Sequence, residues 1–71
     1  MDNAKLKNNI KVFRAQFNIS QRELAEAIGV TRKTINTIET GRFVPSTILS
    51  LKIAKFFQTN MEEIFKLEGD E

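Results

Sequence analysis

The twenty-two residues from Ser20 to Gly41 constrain this chain more than any other stretch. Ser20-Gln-Arg-Glu23 has the pattern of a capping box, in which the Ser20 hydroxyl takes an orphan N–H and Glu23 reaches back to the cap. The helix it opens runs from Gln21 to about Ile28 and buries Leu24, Ala25 and Ile28. Gly29 supplies the left-handed residue that ends it. Thr31 then caps another helix, which runs to about Glu39 or Thr40 and stops at Gly41. Two short helices joined by a tight turn are the expected core of the fold.

The flanks read as helix as well. Leu6, Ile10, Phe13 and Phe17 form one apolar stripe at helical spacing, so a first helix is expected from Asn3 or Ala4 to Phe17. Ser46, after Pro45, opens a fourth helix to about Phe57. Its apolar residues cover most of its circumference, leaving Lys52 and Lys55 on the wet side. Thr59-Asn-Met-Glu62 reads as a second capping box, opening a last helix through Phe65 or Lys66. Phe13, Phe17, Phe57 and Phe65 are expected in the core. No segment reads as a strand, so the fold class is all-α. The expected domain spans residues 1–66, with 67–71 a polar, frayed tail in which Leu67 is the large apolar residue.

Composition removes whole classes of chemistry. The chain has 71 residues, room for one small domain that buries about 60% of its unfolded surface. It has no Cys and no His. Disulfides, thiolate metal sites, zinc fingers and His-activated nucleophiles are therefore excluded, and no enzyme, metal or cofactor is expected. No apolar run approaches the roughly 20 residues of a membrane span. The N-terminal stretch lacks a signal peptide's apolar core. The expectation is a cytoplasmic protein without a membrane partner. The net charge of +2 hides an asymmetry: residues 1–42 hold eight Lys/Arg against four Asp/Glu, and residues 43–71 hold three against five. Either this is scatter, or the basic half faces phosphates and the acidic half turns away.

On a wheel of 100° per residue, Ile35, Ile38 and Glu39 share one side of the third helix. Lys33, Asn36, Thr37 and Thr40 occupy the other, with Arg32 and Thr34 on the flanks. A solvated face and a face that reads DNA explain this pattern equally well. Arg and Lys donate to guanine O6 and N7, Asn pairs with adenine, and Thr offers a hydroxyl or a methyl. The turn shifts the balance toward DNA. Two helices crossing steeply through three or four residues need small side chains and a Gly there, and Ala25 and Gly29 supply them.

These residues carry a resemblance. Ile19-Ser-Gln21, Leu24-Ala25, Ile28-Gly29-Val30, Thr31, Ile35, Ile38-Glu39, Gly41, Pro45-Ser46, Lys52-Ile-Ala54 and Glu63-Ile-Phe65 are similar to the phage Cro/repressor-type helix-turn-helix regulators, the xenobiotic-response-element-like family. The similarity runs from about Ile10 to Phe65. It implies a compact bundle of five short helices, the lambda-repressor-like DNA-binding domain, with the third helix reading DNA. It implies base contacts from Arg32, Lys33 and Thr37, and Asn36, outward on the wheel, lies beside them as a fourth candidate. Phosphate contacts would come from Gln21, Thr31, Thr40 and Arg42, and Gln21 would also brace the recognition helix. An internal salt bridge would join Arg14 to Glu39. Thr59, where an apolar residue is usual, and Ile48, where a polar one is usual, depart from the pattern.

The implied function is sequence-specific binding of double-stranded DNA to regulate transcription, as a repressor. One such domain covers roughly four to six base pairs, too few for specificity in a genome. A homodimer on a palindromic operator is therefore expected, with Ile48, Phe56, Met61, Phe65 and Leu67 as candidates for its interface. The alternative is a protein-interaction module, such as an antitoxin, whose main partner is a protein. One stoichiometric protein partner and no preferred DNA would mark that case.

Overall fold

The computed structural model describes residues 5–69. Among them, five helices and two short strands follow one another as β1 (Leu6–Asn8), α1 (Ile10–Phe17), α2 (Gln21–Ile28), α3 (Arg32–Glu39), α4 (Thr47–Phe56), α5 (Met61–Ile64) and β2 (Phe65–Leu67). Three helices start where a hydroxyl side chain accepts a backbone N–H that has no partner within the helix. Ser20 accepts from Glu23 N–H, and Glu23 answers at Ser20 N–H, completing the capping box. Thr31 accepts from Thr34 N–H and Ser46 from Leu49 N–H. Gly29 ends α2 at φ 82°, a conformation a side chain would strain. Asn18 ends α1 at φ 57°, a value that Asn tolerates better than most residues.

The chain opens differently from the helix expected there. The expected start at Asn3 or Ala4 lies outside the described residues. Leu6–Asn8 is a strand that pairs antiparallel with β2, Leu6 opposite Leu67 and Asn8 opposite Phe65. Asn8 forces the switch. Its Oδ1 accepts the Ile10 N–H at 3.2 Å while its Nδ2 donates to the Ile38 carbonyl at 2.9 Å. The Asn9 N–H bonds the Ile64 carbonyl at 2.8 Å, so α1 begins only at Ile10. Leu6 lies four residues before Ile10 without sharing its helix.

The other end is corrected too. Asn60, not Thr59, is the N-cap of α5, and its side chain makes no capping bond. The Thr59 N–H instead bonds the Ala54 carbonyl, closing the end of α4. α5 lasts only four residues, because from Phe65 onward the backbone finds better partners in β1 than in a further turn. Leu67 lies within β2, and the Glu68 N–H reaches the Lys5 carbonyl at 2.7 Å. The packed structure thus passes the boundary expected at residue 66. Asp70 and Glu71 lie outside the described residues.

The core gathers Ile10, Leu24, Ala25, Ile28, Ile35, Ile38, Ile53, Ala54, Phe57, Ile64 and Phe65. Each helix contributes to it, and Phe65 brings in the ribbon. Phe17 departs from its expected core position: it is 41% exposed and packs edge-on against Phe57 from outside, with ring centroids 5.1 Å apart. Ile48 and Leu51 point away from the core on α4. None of the helices of the described residues is long and apolar enough to cross a membrane.

Candidate nucleic-acid interface

α3 is held from behind and at both ends, which leaves one face outward. Ile35 and Ile38 are fully buried. At its start, Thr31 caps the first turn and shares a hydroxyl contact of 3.0 Å with Thr34. At its end, Thr37's carbonyl accepts from the Arg42 and Phe43 N–H groups, and Ile38's from the Gly41 N–H and Asn8 Nδ2. Asn8 lies thirty residues from the helix it ties down. Its role carries no local sequence signal, and only the strand pairing brings it there.

The outward face holds Arg32, Lys33, Asn36 and Thr40, all exposed, with Thr37 half-buried. Arg42 is exposed just beyond the helix. Arg32, Lys33 and Arg42 make no ion pair among the described residues. Two cations in the first turn, with no acidic residue beside them, oppose the helix dipole. That placement weakens the isolated fold and favours an anion arriving at the same spot.

The hydroxyls on this face are partly committed. Thr37 Oγ1 donates to the Thr34 carbonyl at 2.9 Å, which leaves its methyl and its lone pairs for a ligand. Thr40 Oγ1 makes a longer bond of 3.3 Å to the Thr37 carbonyl. Lys33, Thr34, Thr37, Arg42 and Phe43 line a shallow depression of about 330 Å³. Phe43 was not singled out in the sequence, because an exposed aromatic in a loop has no periodicity to reveal it.

Behind this face lies a polar network. Arg14 and Glu39 form a two-point bridge, with Nε to Oε2 at 2.7 Å and Nη2 to Oε1 at 3.1 Å. The side chains are only 15% and 8% exposed. Arg14 Nη1 also donates to the Ile19 carbonyl at 3.1 Å, so α1, the loop before α2 and the end of α3 are joined. Hydrogen bonding to Glu39 holds the Arg14 guanidinium above its ordinary pKa, outweighing the opposing effect of burial. Its contribution is complete below the ordinary arginine value and fades only as pH rises through the elevated one, so it stays constant around neutrality.

Gln21 extends the network. Its Nε2 donates to Glu39 Oε1 at 3.1 Å and to Asn36 Oδ1 at 3.2 Å. Both side-chain N–H groups therefore point toward α3, and a phosphate cannot bond the remaining carbonyl oxygen. In this geometry the Gln21 side chain braces α3. Its backbone N–H, at the first position of α2, has no acceptor among the described residues.

The dimer candidates divide. Ile48 is 70% and Leu67 49% exposed. Phe56 and Met61 are half-buried against the core. Phe65 is buried.

Comparison with known proteins fits this geometry. The helix-turn-helix family model matches residues 10–64. The uncharacterized HTH-type transcriptional regulator YgzD of Bacillus subtilis is 51% identical over 65 residues, covering 92% of this chain and 98% of YgzD. The uncharacterized HTH-type transcriptional regulator MJ0272 of Methanocaldococcus jannaschii is 48% identical over 66 residues, covering 93% of this chain and all of that protein. Among solved structures, the restriction-modification controller protein C.AhdI from Aeromonas hydrophila superposes with a TM-score of 0.70 at 26% identity, covering 76% of this chain and 78% of that one.

Proposed function

The chain belongs to the Cro/repressor-type helix-turn-helix family of DNA-binding transcriptional regulators, and on that premise we propose that it represses transcription as a homodimer on a palindromic operator. α3 lies in the major groove. Arg32, Lys33, Asn36 and Thr37 meet base edges, and Thr31, Thr40, Arg42 and the backbone N–H of Gln21 meet phosphates. The single observation behind this reading is the first turn of α3, where Arg32 and Lys33 stand exposed and unpaired against the dipole. A duplex supplies both the missing anions and the acceptor edges that those side chains suit.

Dimerisation rests on Ile48 and Leu67 as exposed apolar groups, with Phe56 and Met61 beside the core. Two recognition helices related by a two-fold would stand one turn of DNA apart, roughly 34 Å. Such a protein acts in the cytoplasm, where the chromosome is. Repression is favoured because a domain seated on a promoter blocks it simply by occupying it. Selection of bound duplexes from a random pool tests the reading. The expected consensus is a palindrome with half-sites about one helical turn apart. A single asymmetric site would refute the dimer, and no consensus at all would refute sequence-specific regulation.

A further inference from the structure

The network behind α3 does more than hold the helix, because it fixes which way an exposed amide points. The network starts at Arg14, whose guanidinium can only donate. It grips Glu39 through two bonds and so sets the carboxylate's orientation. An ionised carboxylate can only accept. The group of Gln21 that lies 3.1 Å from Glu39 Oε1 must therefore be its NH2, since a carbonyl oxygen there would face a second acceptor. The same NH2 lies 3.2 Å from Asn36, so the atom of Asn36 that meets it must be the acceptor Oδ1. The two amide orientations, each ambiguous in isolation, are thus determined by the charges of Arg14 and Glu39.

We infer that Asn36 is a donor-selective reader of base edges, oriented by Arg14, Glu39 and Gln21, and that it favours guanine over adenine in the base it faces. The inference rests on the proposed placement of α3 in the major groove. Gln21 occupies one lone pair of Asn36 Oδ1, while the Asn36 NH2 has no protein acceptor among the described residues. Guanine presents two acceptors, O6 and N7, to such a group. Adenine presents N7 beside an N6 donor, and that donor must reach the second lone pair of an Oδ1 that Gln21 holds turned toward α2. A free asparagine would turn its amide to suit adenine. Turning this one would place its NH2 against the NH2 of Gln21. Gln21, Glu39 and Arg14 are positioning residues in this account, since they act on the base through Asn36.

Selection from a random duplex pool, carried out with the full chain and two variants, tests the inference. Asn36→Ala locates the position that Asn36 reads, as the one whose preference flattens. There the native chain is expected to favour guanine over adenine by about tenfold. Gln21→Met keeps the side chain's length but releases Oδ1, and the ratio is expected to fall to about threefold or less while the preferences set by Lys33 persist. A purely structural role would weaken all sites alike and leave the ratio unchanged, which would overturn the inference. So would a native preference for adenine, or no position flattened by Asn36→Ala. A native chain that selects no consensus would instead bring down the proposed function, and this inference with it. Side-chain amide exchange in the free native protein gives an independent reading that needs no variant. The Gln21 NH2 is expected to exchange about tenfold more slowly than the Asn36 NH2, being the one held between two acceptors. The reverse order would contradict the orientation directly.

Discussion

α2 and α3 are matched in length and opposed in design. Each has eight residues and each starts at a hydroxyl cap. α2 adds Glu23 to its first turn, completes a capping box and buries Leu24, Ala25 and Ile28. α3 puts Arg32 and Lys33 in the same turn, completes no box and buries only Ile35 and Ile38. In α2 the cap, Glu23 and three buried side chains favour the helix, and only Arg22 near its start and Glu26 near its end stand against the dipole. In α3 the cap and the isoleucines favour the helix while the charges oppose it, so α3 depends on ties from elsewhere. Asn8, Arg14 and Gln21 supply them. At α3 stability has been exchanged for a surface: a small domain can carry one poorly self-stabilised helix if its neighbours hold both ends.

The largest break in this comparison comes from cutting a tie. Glu39→Ala leaves Arg14 charged and nearly buried, and should cost about 3–5 kcal/mol in denaturant unfolding. Because α3 relies on that tie, its amides should lose hydrogen-exchange protection more than those of α2. The next effect falls on binding alone. Lys33→Ala should lose about 1–3 kcal/mol of affinity for a selected site and relax base preference at one position, with unfolding almost unchanged. Ser20→Ala removes the capping box and should cost about 1 kcal/mol of stability. It should leave the base preference set by Lys33 intact, because Lys33 stands on α3. The smallest effect sharpens the contrast most. Lys33→Glu should stabilise the free protein by about 0.3–1 kcal/mol by complementing the dipole, while abolishing measurable DNA binding.

The helices at the centre of the chain were legible because their signals are local. Ser20, Gly29, Thr31, Gly41 and Ser46 act on backbone within four residues of themselves, and the sequence places them at the helix ends. The ribbon was hidden for the opposite reason. Leu6–Asn8 and Phe65–Leu67 are three residues each, too short for alternation to register, and each becomes a strand only by meeting the other. Leu6 then supplied a false helical stripe by lying four residues before Ile10. The capping signal at Thr59 misled in a similar way, since a helix end one step earlier had already claimed its N–H. In the candidate site, the outward set on α3 followed from spacing, and the Arg14 and Glu39 pairing from family resemblance. The direction of Gln21's amide could not be read, because it depends on acceptors 15 and 18 residues away.

Under the proposed function, the exposed face of α3 meets duplex DNA. Amide and side-chain NMR resonances of the full chain, followed during titration with a selected duplex at low salt, test it most directly. The shifts should concentrate at Arg32, Lys33, Asn36 and Thr37, leave the exposed lysines of α4 at Lys52 and Lys55 undisturbed, and recede steeply as salt is raised. Shifts confined to α4, or an α3 face that stays silent while the duplex binds, would contradict it.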